Sequence, residues 1–212
     1  MQIIKAYKCI VVANGIFPEN PLLLNILRQA ETVIACDGAA TSLIIERIIP
    51  TAILGDMDSL PEEVATQYHD RIFLNEDQET NDLTKAIHFA KKEGHTEVLI
   101  LGATGLREDH TLANISLLMD YALLFEQIEM ASDYGLFTPI LKTTTFPCKP
   151  GQQVSFFSMQ PGGLVTTHQL RYPLRDKNLT AWWQGSLNET LDTEFTLTLS
   201  SGTKMMVYRL FD

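Results

Sequence analysis

Cysteine is scarce in this chain, 3 in 212 residues, and Cys9, Cys36 and Cys148 stand far apart with no Cys-x-x-Cys spacing. So few, so placed, give neither a disulfide framework nor a zinc site, and a reducing cytoplasm is the expected compartment. Long hydrophobic runs are also missing. The longest apolar stretch, Leu117 to Phe125, is broken by Asp120 and falls short of the roughly 20 apolar residues a membrane-spanning helix needs. Cys9–Ala13 is too short for the apolar part of a secretory signal and leads straight into Asn14-Gly15. Positive charge is in deficit: 16 Lys and Arg against 26 Asp and Glu leave a formal charge of −10, which argues against a nucleic-acid surface. It does not argue against a nucleotide, because Mg²⁺ can bring phosphates into an acidic crevice. There is no internal repeat and no low-complexity linker. The remainder is an ordinary globular balance, 45% hydrophobic and 20% charged, long enough for one large domain or two modest ones.

Up to about residue 132 strands and helices alternate. The runs Cys9–Ala13, Val33–Ala35, Ala52–Leu54, Ile72–Leu74 and Val98–Leu101 are short and aliphatic and read as buried strands. Asn20-Pro21 supplies an N-cap and a proline at the first helical position, with Leu22, Leu23, Ile26 and Leu27 as the buried stripe. Helices are further expected over Ala39–Arg47, Pro61–Gln67, Asn81–Lys92 and Asp109–Leu124. Such alternation implies a parallel sheet covered on both faces. After about residue 135 the pattern becomes all-strand, with Val154–Met159, Leu164–Leu170, Thr180–Trp183, Phe195–Leu199 and Met205–Leu210 separated by turn residues. The fold class expected is α/β: a parallel-sheet nucleotide-binding domain over 1–132 and a smaller antiparallel β-sandwich over 133–212.

Four clusters carry the chemistry, and each follows one of the apolar runs: Cys36–Ala40, Gly55–Ser59, Asp77–Asp82 and Gly102–His110. The C-terminal ends of parallel strands open at one edge, where open α/β sheets bind ligands. Carboxylates gathered there repel one another and need a cation, for which Mg²⁺ is the hard, oxygen-seeking candidate. In Gly55-Asp56-Met57-Asp58-Ser59 an extended loop would put Asp56 and Asp58 on one side; the plainer alternative is a polar turn with Asp58 capping the next helix. Asp77 and Asp82 bracket a helix start that favours phosphate oxygens, and Lys85 reads either as a phosphate contact or as a surface partner of Asp82. Gly102–His110 is a glycine-bearing strand–helix turn supplying Arg107, Asp109 and His110; it lacks the ending of a P-loop, and Asp109 alternatively serves as an N-cap. Trp182-Trp183 on a strand would send one indole to each face.

Taken in this order, the motifs resemble thiamine pyrophosphokinase. Asp37-Gly38-Ala39-Ala40, Gly55–Ser59, Asp77-Gln78 with Asn81–Ala86, and Gly105–His110 stand where that family has its own acidic motifs. The likeness continues through Gln169–Leu174 and Gly185–Glu189 and so covers nearly the whole chain. Met57 replaces an aromatic residue, Asn81 a threonine, and Leu106 a frequent glycine.

The resemblance implies transfer of a pyrophosphoryl group from ATP to the hydroxyethyl group of thiamine, giving thiamine diphosphate and AMP, by a cytoplasmic homodimer. It implies Mg²⁺ held by Asp56, Asp58, Asp77, Asp82 and Asp109, with Asp56, Asp58, Asp82 and Asp109 as catalytic residues and Asp82 as the hydroxyl-proton acceptor. ATP contacts are expected from Asn14, Asp37, Gly38, Gln78, Thr80, Lys85, Thr104, Gly105, Arg107 and His110, and thiamine contacts from Trp183, Ser186 and Asn188. Two rivals remain at this point. Asp56-Met57-Asp58-Ser59-Leu60 approaches the nucleophile motif of haloacid-dehalogenase-like phosphatases, although Leu60 replaces its Thr or Val. A non-catalytic nucleotide sensor would need far fewer carboxylates at one edge.

Overall fold

The computed structural model describes residues 4–75 and 79–211; the expected metal ligand Asp77 and ATP contact Gln78 lie outside the described residues. Contacts within the chain divide it into two units, 6–133 and 134–211, with Ile4 and Lys5 grouped with the second.

The first unit is built on six strands: β1 (Cys9–Val12), β2 (Thr32–Cys36), β3 (Ala52–Gly55), β4 (Ile72–Leu74), β5 (Glu97–Leu101) and β6 (Gln127–Ser132). They run in the order β6-β5-β1-β2-β3-β4, and every neighbouring pair is parallel. Successive strand residues face opposite sides of a sheet. All four residues of β1 and of β3 are buried, so both faces of the sheet centre are covered, as unbroken aliphatic strands require. Five helices join the strands: α1 (Pro21–Gln29), α2 (Ala39–Ile45), α3 (Glu62–Gln67), α4 (Asp82–Lys92) and α5 (Glu108–Tyr121).

The helix starts obey the local rules. Asn20 Oδ1 accepts from Leu22 N at 2.9 Å ahead of Pro21, and Asn81 Oδ1 accepts from Thr84 N at 2.9 Å. Each bond satisfies a backbone donor the helix leaves open. Asp109 does not cap α5: Arg107 holds that position without a side-chain bond, and Asp109 lies inside the first turn. No helix among the described residues is long and apolar enough to cross a membrane, and all three cysteines are buried and free.

The second unit carries β7 (Gly135–Ile140), β8 (Thr144–Pro147), β9 (Gln153–Ser158), β10 (Leu164–His168), β11 (Lys177–Asn178), β12 (Asn188–Glu189), β13 (Glu194–Leu199) and β14 (Met205–Leu210). These form two antiparallel sheets, β12-β9-β14-β7 and β11-β10-β13-β8. One core joins them, with Val154, Phe156, Met205 and Val207 from the first sheet and Phe146, Val165, Phe195 and Leu197 from the second. Phe146 and Phe195 are direct cross-strand partners with rings stacked at 5.1 Å.

One expected strand is absent. Thr180–Trp183 is instead the approach to a 3-10 turn over Trp182–Gly185. Gln184 Oε1 accepts from Thr180 N at 2.8 Å and Ala181 N at 3.2 Å, which folds the segment back on itself. Gly185 packs so tightly on Phe156 that a Cβ there would stand 2.0 Å from the Phe156 carbonyl oxygen. Both indoles are therefore outside the core, Trp182 being 44% and Trp183 74% exposed.

Candidate active site

In the first unit the chain passes from β1 through β2 and β3 to β4 on one side, then returns to lay β5 and β6 on the other. This makes the β1–β5 boundary the topological switch point, the usual ligand crevice of open parallel sheets. Beyond it the two loops stay zipped together, with Gly15 N donating to Gly102 O at 2.7 Å and Ile16 N to Thr104 O at 3.0 Å. A Cβ on Gly15 would stand 2.5 Å from Gly102 O, and one on Gly102 would stand 2.5 Å from Ala13 O. Only glycine fits either place.

A cavity of about 400 Å³ opens at this edge, within the size range of small-molecule sites. Asn14, Asp37, Asp56, Asp58, Asp82, Gly105, Arg107 and His110 are all on its wall. Segments far apart in sequence thus meet because their strands are parallel neighbours.

Asp37, Asp56 and Asp58 each place a carboxylate oxygen within 4.8 Å of the others. Asp37 is the buried member, 4% exposed, with its backbone at φ 44°. Its Oδ2 accepts from Ser59 N at 3.1 Å, whereas Oδ1 is buried with no hydrogen-bond partner. Burial pushes its carboxyl above the usual value, and Asp58 adds to the shift. The Asp56–Asp58 segment is not extended as the spacing suggested. Met57 takes φ 67°, a turn closed by Asp58 N donating to Asp56 Oδ1 at 3.3 Å, so a left-handed residue rather than a strand pleat brings the two carboxylates together. Ser59 Oγ donates to Asp58 Oδ1 at 2.8 Å.

Asp82 begins α4 and reaches the same wall across Gly55. A Cβ on Gly55 would stand 3.0 Å from Asp37 Cβ and 3.3 Å from Asp82 Cγ. Lys85 Nζ donates to Asp82 Oδ1 at 3.0 Å, with the lysine side chain only 4% exposed. Lys85 is accordingly neither a surface partner nor on the cavity wall. Cys36 Sγ donates to Asp82 O at 3.6 Å, and burial pushes this thiol up.

The remaining expected residues fall in four groups. Arg107 holds Asp109 through Nε–Oδ1 at 3.0 Å and Nη2–Oδ2 at 2.6 Å, an exposed fork that lowers the Asp109 carboxyl to about 2. Asp109 faces its arginine and lies outside both the carboxylate trio and the wall. Gly38 and Thr104 support the wall from behind: Asn14 Nδ2 would lie 2.6 Å from a Gly38 Cβ, and Thr104 O holds Ile16. Thr80 is exposed and off the wall. In the second unit Trp183 is exposed and Ser186 Oγ donates to Trp183 O at 2.8 Å. Asn188 is buried and committed to the fold: Oδ1 accepts from Tyr172 N and Glu189 N at 3.1 and 2.9 Å, and Nδ2 donates to Tyr172 O at 2.8 Å. Its amide brackets a loop.

Sequence reasoning missed Asp37 as the third carboxylate of the cluster, and missed Cys36, Ser59, Asn81 and Asn114 on the wall. The signal for Asp37 was its place directly after β2.

Comparison with known proteins bears on this geometry. Residues 23–131 match a family described as thiamin pyrophosphokinase, catalytic domain, and residues 135–208 one described as thiamin pyrophosphokinase, substrate-binding domain. Thiamine pyrophosphokinase 1 of Oryza sativa subsp. japonica is 35% identical over 86 residues, covering 36% of this chain and 33% of that protein. The chain thus spans about a third of that relative's length. Thiamine pyrophosphokinase from Bacillus subtilis superposes with a TM-score of 0.81 at 22% identity, over 97% of this chain and 100% of that one. The Candida albicans thiamin pyrophosphokinase gives 0.80 at 18% identity, over 100% and 96%. At these identities the superpositions speak for the fold alone, a mixed α/β architecture of parallel and antiparallel sheets.

Proposed function

Because the chain belongs to the thiamin pyrophosphokinase family, we propose that it transfers a pyrophosphoryl group from ATP to the hydroxyethyl group of thiamine, releasing AMP. The observation that carries this reading is the carboxylate trio at the switch-point crevice, whose Asp37 Oδ1 is buried and unpartnered. A buried acceptor with no donor is costly unless something positive meets it. All three donors are hard carboxylate oxygens, which suits Mg²⁺ and argues against a soft metal. Asp37, Asp56 and Asp58 would hold the ion, with Asp82 adjoining. Bound there, Mg²⁺ would supply positive charge to the triphosphate.

The chain's own groups account for the rest. The thiamine hydroxyl oxygen attacks the β-phosphorus, the bond from that phosphorus to the bridging oxygen of AMP breaks, and the hydroxyl proton passes to the Asp82 carboxylate on the wall. The Gly102–Arg107 turn orients the phosphates, and Arg107, on the wall, would exchange its exposed pairing with Asp109 for their oxygens. The second unit, matched as a substrate-binding domain, would offer the exposed Trp183 face to the thiazolium cation. The proposal includes a homodimeric assembly, as the resemblance to the family implies. The three free cysteines fit a reducing cytoplasm.

The phosphatase-like alternative is not favoured, because the family match accounts for all four motifs and the nucleophile motif for one. Incubation with Mg²⁺, ATP and thiamine tests the proposal by its nucleotide product. Thiamine-dependent AMP supports it; ADP, or no thiamine-dependent product, refutes it.

A further inference from the structure

We infer that Lys85 is a positioning residue for Asp82 and touches no phosphate, an inference that rests on the reaction proposed for this site. Three observations lead there. Lys85 lies on the buried face of α4 with Leu83, Ala86 and Ile87, its side chain is 4% exposed, and it is absent from the cavity wall on which Asp82 stands. Its Nζ is 3.0 Å from Asp82 Oδ1, the one hydrogen bond from the described residues that reaches this carboxylate. Helix stability does not explain it, since a cation in the first turn of a helix opposes the dipole, and burying an ammonium is unfavourable unless it is paired.

The geometry gives the pairing a purpose. Asp37 and Asp82 both press against the bare Cα of Gly55, so Asp82 stands beside the carboxylate trio and is repelled by it. A carboxylate in such a place turns away unless something fixes its plane. The Lys85 ammonium holds Oδ1 toward the protein interior and leaves Oδ2 for a ligand in the cavity. This is the support that a reacting carboxylate needs from the residue behind it.

The split between kcat and KM, read together with unfolding of the metal-free protein, tests the inference. Lys85→Met keeps the stem and removes the charge; kcat for AMP formation should fall about 10–100-fold, as for other residues that orient a ligand from behind, with KM for ATP unchanged. Lys85→Arg, which keeps the charge, should retain more of kcat than Lys85→Met and reads the same split if the methionine variant does not fold. A raised KM for ATP with kcat preserved would mark a phosphate contact and overturn the inference. Without metal, Lys85→Met and Asp82→Asn should each lower the urea midpoint. The double variant should then unfold at higher urea than Asp82→Asn alone, because it removes the uncompensated ammonium. Midpoint shifts that simply add would also overturn the pairing. If the wild-type protein forms no AMP, the proposed reaction falls while the urea series still decides the pairing; if AMP forms and the shifts add, the pairing alone falls.

Discussion

Replacing Asp37 by asparagine should make the metal-free protein more stable and the enzyme inactive. Asparagine is the informative choice because it keeps the shape and tolerates the φ of 44° found at this position. The charge is removed and one acceptor oxygen becomes an amide donor. In the folded protein the Asp37 carboxylate lies within 4.8 Å of oxygens from Asp56 and Asp58. At that separation two like charges repel by about 3–4 kcal/mol at an effective dielectric of ~20. Exposure of Asp58 and the bond that Ser59 N donates to Oδ2 reduce the net effect, to about 1 kcal/mol on the scale of screened pairs. For a chain of 212 residues that corresponds to a rise in Tm of about 2–4 °C. Titrated Mg²⁺ with a non-hydrolysable ATP analogue should then reverse the order, because ligand stabilises only the protein that binds it. Differential scanning calorimetry with and without Mg²⁺, beside the AMP assay, reads both effects. A metal-free Tm that falls, together with an unchanged response to Mg²⁺, would show that the trio is not a cation site.

Gly102→Ala forces a side chain into φ 66° and sets its Cβ 2.5 Å from Ala13 O; a loss of about 1–3 kcal/mol, the scale of such backbone strain, should appear in urea unfolding, and an unchanged midpoint would mean the two loops part freely. Trp183→Ala should leave stability within about 0.5 kcal/mol, as for an exposed residue, while weakening thiamine binding in calorimetric titration. A loss of about 3–5 kcal/mol would instead mark a core tryptophan. Arg107→Met should raise the ATP requirement without lowering Tm, since its ion pair with Asp109 is exposed; an unaltered KM for ATP would remove the fork from phosphate binding.

The elements that could be read from the chain are those whose signals are local. β1, β3 and β5 come from unbroken aliphatic runs, and α1 and α4 begin where Asn20 and Asn81 offer a capping oxygen. β6 and β7 escaped detection because Glu129 is buried within one and Pro139 interrupts the other. The Trp182-Trp183 segment was misread as a strand because aromatic pairs favour strands, whereas the Gln184 side chain and the contact of Gly185 with Phe156 bend it.

The same division runs through the site. Sequence alone determined that acidic motifs follow successive apolar strands, and parallel pairing then brings Asp56, Asp58 and Asp82 to one edge, because parallel strands share a C-terminal side. It could not determine that Asp37 completes the trio, that Met57 turns left-handed, that Asp109 faces Arg107 and not the cluster, or that Lys85 points inward at Asp82. The last three are short-range arrangements whose direction is set by what packs around them, and the first depends on distances between residues 20 to 50 positions apart, as between Asp37 and Asp58 or Asp82. Such distances are fixed when β2, β3 and α4 pack across Gly55, a contact that no periodicity along the chain records.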